Sequence, residues 1–218
     1  IYNSNRFFLR VLLERLGCEV SDLGIVPDRR EATLAALKTA ADHHDLILTS
    51  GGVSVGEEDH IKPAVQQLGS LDLWQIAMKP GKPFAYGRVG RDAGAGAQAG
   101  GHCHFIGLPG NPVSSYVTFL LLVRPFLLKL QGALETAYQP AFHPMKLRAD
   151  FDLPRADRRR EFLRVRRNGA GGLDLFPNQS SGVLTSASWA DGLVDNPAGF
   201  TIARGDLVNY IALSDLLA

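Results

Sequence analysis

Residues 45–59 have the sequence DLILTSGGVSVGEED, in which a strand-like run leads into a loop with three glycines. The run from Asp45 to Thr49 is short, apolar and does not alternate, which predicts a buried strand. The glycines allow the backbone N–H groups of the loop to turn towards an oxyanion. The loop ends in three carboxylates, which would repel a phosphate unless a cation lay between them. The stretch therefore predicts a site for an anion and a metal ion, with a purely structural turn as the alternative.

Helix and strand patterns alternate on both sides of this loop. The predicted helices are residues 5–16, a helix from 28, a helix from 63 and residues 112–130, and the predicted strands are residues 18–26, 45–49, 71–78, 84–89 and 104–108. This order predicts an α/β fold, more closely a mostly parallel three-layer α/β/α domain. Ligand-binding loops are then expected at the carboxyl ends of its strands.

The pattern changes between residues 132 and 144, where prolines and polar residues indicate a linker. Beyond it, short strand-like segments are separated by Gly, Pro and Asn turns, which predicts a small β-barrel-like domain. The predicted domains are therefore residues 1–138 and residues 139–218. The Gly- and Ala-rich run 90–101 is predicted to be a flexible hairpin tip within the first domain.

The composition argues against several classes of partner. With 23 basic and 22 acidic side chains, the chain has no field that would attract nucleic acid or an anionic membrane. No stretch approaches the roughly 20 apolar residues of a membrane span, and no signal-peptide pattern is found. Cys18 and Cys103 lie in apolar runs, which predicts buried thiols in a reducing, cytoplasmic compartment. Since a helix is predicted almost directly after Ile1, we expect a fragment or a processed chain.

A second candidate motif is the turn Met78-Lys79-Pro80-Gly81-Lys82-Pro83-Phe84. Proline and glycine restrict this turn, so its two lysines would lose little entropy on binding an oxyanion. A stiff surface turn with solvated lysines is the alternative. A third motif, residues 107–114 with the sequence GLPGNPVS, joins a predicted strand to a helix. Asn111 is its predicted cap and Pro112 its first helical residue.

Residues 50–56 with Asp59, residues 78–83 and residues 107–114 occur in an order and spacing that is highly specific. Together they resemble the molybdopterin molybdenumtransferase family, which includes the bacterial MoeA proteins, the plant molybdenum insertase domain and the E domain of gephyrin. The likeness extends over the whole chain. Its first five residues resemble the start of the family's catalytic α/β domain, and residues 178–182 and 190–193 resemble its C-terminal β domain.

The resemblance implies an enzyme of molybdenum cofactor biosynthesis. Such an enzyme inserts molybdate into adenylylated molybdopterin, with a divalent cation such as Mg²⁺, and releases AMP and molybdenum cofactor. The resemblance also implies a homodimer whose active site lies between protomers, and contact with the molybdopterin adenylyltransferase. The family's N-terminal domains are absent here, so we expect this chain alone to have little activity.

The resemblance assigns roles residue by residue. Asp59 and Asp28 would place or ligate the cation, because hard cations take carboxylate oxygens. Lys79 and Lys82 would hold the molybdate dianion, with Ser114 as an added hydroxyl donor. The residues that would contact the substrate from the loop and the two turns are Ser50, Gly51, Gly52, Val53, Ser54, Gly56, Pro80, Gly81, Pro83, Pro109, Gly110, Asn111 and Pro112.

From the β domain, the resemblance adds Arg164 as a residue that reaches the oxyanion, and Ser181 as a weaker candidate. Structural alternatives stand beside two of these assignments. Asp28 with Glu31 forms a capping-box pattern, so Asp28 is also predicted to cap a helix. Arg164 lies in a run of arginines that would equally form a solvated basic strand. One departure is Gln75, which stands where some relatives carry a lysine.

Two other functions remain open at this point. The sibling enzyme that adenylylates molybdopterin shares the α/β fold and a related glycine loop, but it lacks a trailing β domain. A gephyrin-like scaffolding module with reduced catalysis is the second alternative. The candidate acidic and lysine residues Asp59, Lys79 and Lys82 favour retained chemistry.

Overall fold

The computed structural model describes residues 3–53, 60–91, 101–138 and 145–217. The chain divides into two compact units, unit 1 (Ile1–Ile76 and Pro83–Gly110) and unit 2 (Ala77–Lys82 and Asn111–Ala218). The α-helices are α1 (Ser4–Arg15), α2 (Arg30–His43), α3 (Ile61–Leu68), α4 (Pro112–Thr118), α5 (Arg124–Leu130), α6 (Glu135–Tyr138), α7 (Thr185–Trp189) and α8 (Leu213–Leu217). The strands are β1 (Leu46–Ser50), β2 (Gly69–Trp74), β3 (Met78–Lys79), β4 (Ala85–Gly90), β5 (His102–Leu108), β6 (Met145–Ala149), β7 (Arg160–Arg167), β8 (Gly172–Leu175), β9 (Gly192–Asn196) and β10 (Leu207–Ala212).

Unit 1 is built on a four-stranded sheet with the strand order β1-β5-β4-β2. Apolar side chains on one face of this sheet, among them Ile47, Val89 and Phe105, form a core with Leu37 of α2 and Val65 of α3. Burial of such side chains is the main force that holds helices onto a sheet. The predicted α/β class is confirmed.

The pairing within this sheet corrects one part of the prediction. Among its described strands, β1 and β5 run parallel, whereas β5–β4 and β4–β2 are antiparallel. Strands β4 and β5 are consecutive and antiparallel, with Gly90 paired to His102, and residues 92–100 of the predicted hairpin tip lie outside the described residues. The predicted strand 18–26 is not formed. Asp22 accepts a hydrogen bond from the Gly24 N–H at 2.9 Å, and Gly24 has a φ of +72°, which an extended strand cannot contain.

The predicted strand 71–78 is divided in two. Strand β2 ends at Trp74 because Gln75 has a φ of +70°, outside the β region. The Gln75 N–H donates to the Phe84 carbonyl at 2.8 Å, which fixes the turn. Met78 and Lys79 then form β3, which pairs with β7 in unit 2. Gln75 therefore lies at a strand break rather than within a strand.

Unit 2 contains a closed β-barrel. Its sheet has the order β3-β7-β8-β6-β10-β9, and an additional β7–β9 pairing closes the five strands after β3 into a ring. The interior is apolar, with Phe151, Val165, Leu173, Val194 and Tyr210 among its buried residues. The predicted β-barrel-like domain is confirmed. The predicted boundary between residues 138 and 139 adjoins residues outside the described ranges and stays a prediction.

Unit 2 also contains one long helix. α4 continues through a π-helical segment, Phe119–Val123, into α5. The wider π turn precedes Pro125, which lacks the N–H that an α-helix would use. In the described part of the chain, Pro112–Leu130 is the one helix whose 19 residues and composition would allow a membrane span. Since 61% of its 18-residue apolar window is buried inside the protein, it has the character of a core helix.

Candidate functional site

The glycine loop begins directly after β1, where Ser50 is the last strand residue. Asn5 of α1 is only 4% exposed. Its amide nitrogen donates to the Ser50 hydroxyl at 2.7 Å and to the Gly110 carbonyl at 2.8 Å. The Gly51 N–H donates to the Leu108 carbonyl at 2.9 Å. Asn5 and this backbone bond therefore bring together the first and third sequence motifs within unit 1.

Asn5 was not among the predicted site residues, although it belongs to the opening stretch that carries the family resemblance. Gly51 and Gly52 have φ angles of +93° and +69°, as expected for backbone that turns its N–H groups out of a strand direction. Val53 is buried, and a Cβ on Gly107 would lie 2.3 Å from its Cγ1 atom. The Val53 side chain therefore packs within unit 1, and the predicted substrate role of Val53 stays a prediction.

Three predicted residues of the loop, Ser54, Gly56 and Asp59, lie outside the described residues. Of the predicted cation ligands, Asp28 is described and is exposed. The prediction that Asp28 caps the second helix is wrong. α2 begins at Arg30 with Arg29 as its N-cap, and no side chain makes a capping hydrogen bond. The extended backbone of Arg29 places the helix start two residues beyond Asp28.

Within the described ranges, no group of three or more His, Cys, Asp or Glu side chains is arranged to hold a metal ion. A protein-built metal cage is therefore not formed by these residues. Mg²⁺ is commonly held by one or two carboxylates together with substrate phosphates and water. An exposed carboxylate such as Asp28 fits that mode.

The five residues predicted to hold the oxyanion all fall in unit 2; they are Lys79, Lys82, Ser114, Arg164 and Ser181. Arg164 is 2% exposed. Its guanidinium donates to the Ser186 hydroxyl at 3.2 Å, the Phe162 carbonyl at 3.3 Å and the Ser180 carbonyl at 3.5 Å. No carboxylate of the described residues pairs with it, and burial lowers the pKa of Arg164 to about 10. A buried cation without a counter-ion is costly and is suited to receive an anion.

The start of α4 lies against the loop that follows β8. The Val113 N–H donates to the Ser181 carbonyl at 3.0 Å, and the Asn111 amide donates to the Ser181 hydroxyl at 2.9 Å. Asn111 is the N-cap as predicted, but its side chain does not cap the helix. Ser114 is buried, and among the described residues its hydroxyl has no hydrogen-bond partner. Unit 2 thus connects Ser181 to the helix start that carries Ser114, where the helix dipole favours an anion.

The two predicted lysines differ in their surroundings. The Lys79 ammonium lies 2.8 Å from Glu161 Oε1 and 3.2 Å from Asp157 Oδ2, and its hydrogen bond to Glu161 is the main reason that the pKa of Lys79 is raised. Lys82 is exposed, and no described carboxylate forms an ion pair with it. Lys82 therefore offers an uncompensated ammonium, whereas Lys79 would share its charge with two acids.

Sequence reasoning missed Glu161 and Asp157. Both stand in an arginine-rich run, and acidic residues in such a run are candidates for counter-ions of nearby cations. Glu161 is 3% exposed and its second oxygen, Oε2, has no hydrogen-bond partner. Lys79 is therefore the cation that compensates this buried carboxylate.

The remaining predicted residues are distributed over both units. In unit 2, Pro80 and Gly81 are buried and Pro112 is half-buried; the Lys79–Pro80 peptide bond is cis. In unit 1, Pro109 is buried, Pro83 is half-buried and Gly110 is exposed. The burial of these residues does not test their predicted substrate roles, which stay predictions.

We expect Lys79→Ala to lower the free energy of unfolding, because the buried Glu161 carboxylate loses its cation. Half-exposure of Lys79 limits the loss to about 1–2 kcal/mol. Adding Glu161→Gln should recover part of it, with a coupling energy of about 1 kcal/mol between the two sites in urea unfolding. Since the pKa of Lys79 is raised above 10.5, the pair stabilises the fold fully below that pH and loses its effect as pH rises through the folded-state pKa. Additive effects of the two substitutions would contradict the pairing.

The sequence matches the family profile described as a probable molybdopterin binding domain over residues 1–129, and the profile of the MoeA C-terminal region (domain IV) over residues 146–213. It is 43% identical over 164 residues to a molybdopterin molybdenumtransferase of Haemophilus influenzae, covering 75% of this chain and 37% of that protein. It is 30% identical over 206 residues to a protein of the same name from Nostoc, covering 92% of this chain and 45% of that protein. The chain thus spans less than half the length of these relatives.

Solved structures agree with the sequence matches. The crystal structure of a molybdopterin biosynthesis MoeA protein from Pyrococcus horikoshii has a TM-score of 0.74 and 27% identity, covering 97% of this chain and 48% of that one. A molybdenum cofactor biosynthesis protein from Pyrococcus furiosus has a TM-score of 0.70 and 24% identity, covering 96% of this chain and 64% of that one. At that identity the second likeness supports the fold alone.

Proposed function

Since the chain belongs to the family of probable molybdopterin-binding domains and carries a MoeA C-terminal region, we propose that it acts in molybdenum insertion. The reaction converts adenylylated molybdopterin and molybdate into molybdenum cofactor and AMP, with Mg²⁺ as the cation. Homodimerisation and contact with the molybdopterin adenylyltransferase are further parts of this proposal, carried by the resemblance, and a cytoplasmic location is added from the predicted free thiols.

The observation that carries the proposal is the buried Arg164 guanidinium, which pairs with no carboxylate of the described residues. Its protein acceptors are two carbonyls and a hydroxyl, so its charge stays uncompensated in a site of low dielectric. An oxyanion would supply that compensation through charge-assisted hydrogen bonds. Ser114 and Lys82 of the same unit would add a hydroxyl and an ammonium donor. Molybdate, a tetrahedral dianion, accepts from several such donors at once.

The residues of unit 1 would act on the other substrate. Ser50, held by Asn5, together with the backbone N–H of Gly52, would bind phosphate oxygens of the adenylylated pterin. The Gly51 N–H is used by the Leu108 carbonyl, so Gly51 would serve the turn. Bound Mg²⁺ would neutralise phosphate charge, and Asp28 and Asp59 are the residues proposed to hold it. The match to the MoeA C-terminal region favours this reading over the sibling adenylyltransferase, since that enzyme lacks a trailing β domain.

The proposal is tested first by binding. The 218-residue chain should bind radiolabelled molybdate in equilibrium dialysis, and Lys82→Ala should weaken that binding by about tenfold, the effect of one charge-assisted hydrogen bond. Lys129→Ala is the matched control, because Lys129 is another exposed lysine of unit 2, in the last turn of α5. A chain that does not bind molybdate, or two lysine variants that bind alike, would contradict the assignment.

Catalysis is tested by AMP release and by activation of a cofactor-free molybdoenzyme, with adenylylated molybdopterin, molybdate and Mg²⁺ as reactants. Ser50→Ala should lower the rate of AMP release without changing molybdate binding, because the two residue groups are proposed to contact different substrates. Omission of the divalent cation should stop AMP release. AMP release that persists in a chelator would contradict the Mg²⁺ part of the proposal.

A further inference from the structure

We propose that Gln179 is a positioning residue for the oxyanion site: its carboxamide holds both the backbone of Arg164 and the loop that carries Ser180 and Ser181. The inference rests on the proposed function, since it names the residue that keeps the proposed anion donors in place.

The Gln179 side chain makes three hydrogen bonds. Gln179 Oε1 accepts from the Arg164 N–H at 3.0 Å, and Gln179 Nε2 donates to the Arg164 carbonyl at 3.0 Å and to the Phe176 carbonyl at 2.9 Å. Both N–H groups of the amide are therefore used, as well as its oxygen. The side chain bonds to the same residue as both donor and acceptor, which is what a neighbouring strand would do.

Gln179 fills a gap along one edge of β7. At this edge the Arg160 N–H donates to the Ala77 carbonyl at 3.0 Å, and the Phe176 N–H donates to the Arg164 carbonyl at 3.1 Å. The backbone groups of alternate residues face the same edge, so Arg160 and Arg164 face it together. β8 pairs with β7 only from Val165 onwards. β8 ends at Leu175, and the Gln179 side chain accepts from the Arg164 N–H and adds a second donor to the Arg164 carbonyl, which the Phe176 N–H already contacts.

The loop that Gln179 fixes makes two further contacts within unit 2. The Ser180 carbonyl accepts from Arg164 Nη2 at 3.5 Å. The Ser181 carbonyl accepts from the Val113 N–H at 3.0 Å, at the helix start that carries Ser114. Gln179 therefore anchors the peptide segment between the guanidinium and the start of α4. Without this anchor, the loop could shift relative to β7, and the donors would lose the spacing that a tetrahedral anion needs.

A matched control exists in the same barrel. The Asn168 amide donates to Asp150 at 2.8 Å and to Asp174 at 3.0 Å, and its oxygen accepts from the Ala170 and Gly172 N–H groups at 3.1 and 3.0 Å. It fixes the hairpin between β7 and β8 and contacts none of the proposed anion donors. Loss of either amide should weaken the barrel, but only loss of Gln179 should affect the anion.

The experiment compares Gln179→Met and Asn168→Ala by urea unfolding and by equilibrium dialysis with radiolabelled molybdate, using the 218-residue chain well below its unfolding transition. Both variants should unfold at a lower urea concentration than the wild type. Gln179→Met should bind molybdate at least tenfold more weakly than the wild type, whereas Asn168→Ala should bind like the wild type.

The second variant, Gln179→Glu, keeps the side-chain size and the acceptor for the Arg164 N–H, but its carboxylate cannot donate to either carbonyl. Its affinity for molybdate should also fall at least tenfold. Wild-type binding that is retained in both Gln179 variants would overturn the positioning role and leave the proposed function intact. If Asn168→Ala and Gln179→Met lost the same molybdate affinity, Gln179 would have only a structural role. Absence of molybdate binding by the wild type would overturn the proposed function itself, and the inference with it.

Discussion

Replacing Arg164 with methionine is expected to weaken molybdate binding strongly without destabilising the free protein. Arg164 is 2% exposed and its guanidinium has no carboxylate partner among the described residues, so its charge is buried at a cost. Methionine removes the cost of burying a charge and keeps most of the side-chain volume, which offsets the loss of three hydrogen bonds, so the free energy of unfolding should change by no more than about 1–2 kcal/mol. The loss of a charge-assisted contact in a dry site should weaken molybdate binding by about 100-fold.

The measurement is urea unfolding with and without molybdate. A ligand that binds only the native state raises the wild-type unfolding midpoint, and the midpoint of Arg164→Met should not respond. Arg166→Met is the control, because Arg166 lies two residues along β7 but is exposed, with its guanidinium carbon 4.7 Å from the centre of the Trp189 ring. That variant should retain the response. If Arg164→Met were strongly destabilised and still responded to molybdate, Arg164 would be a structural residue.

Arg164 shows how much of the candidate site could be predicted from the sequence. Motif resemblance identified Arg164, Lys79 and Ser181 as candidates. The strand pattern predicted the barrel, in which Arg164 lies on β7 and Ser181 follows β8. No periodicity could show that Lys79 joins β7 through a two-residue strand, because β3 (Met78–Lys79) is too short to have a pattern. Glu161 and Gln179 were missed because their contacts join segments that are distant in the sequence, and such contacts leave no local pattern.

The failed predictions have local causes. The capping-box pattern at Asp28 was wrong because Arg29 is already extended and the helix begins after it. The strand 71–78 was wrong in extent because Gln75 adopts a positive φ of +70°, which sequence patterns assign to glycine or asparagine rather than glutamine. In both places the backbone conformation of a single residue sets the end of the helix or strand. The sequence of its neighbours does not predict that conformation.

The largest loss of stability is expected from Gly81→Ala. Gly81 has a φ of +123°, and a Cβ built on it would lie 2.4 Å from Thr118 Cγ2 and 2.8 Å from Met78 Cε. The substitution therefore combines backbone strain with overpacking, and we expect it to lower the free energy of unfolding by about 2–5 kcal/mol. Because the turn must move away from α4, molybdate binding should weaken as well, since the same turn carries Lys79 and Lys82.

Gly132→Ala separates the two causes. Gly132 has a φ of +81°, but a Cβ there would meet nothing within 4 Å, so this variant has the backbone strain alone and should lose only about 1 kcal/mol. It lies just after α5, away from the candidate residues in sequence, and should bind molybdate like the wild type. The difference between the two variants then measures the packing of the lysine turn against Thr118. If Gly81→Ala lost no more stability than Gly132→Ala and bound molybdate normally, the turn would be free to relax, and the close packing of Gly81 would not be what holds Lys79 and Lys82 in position.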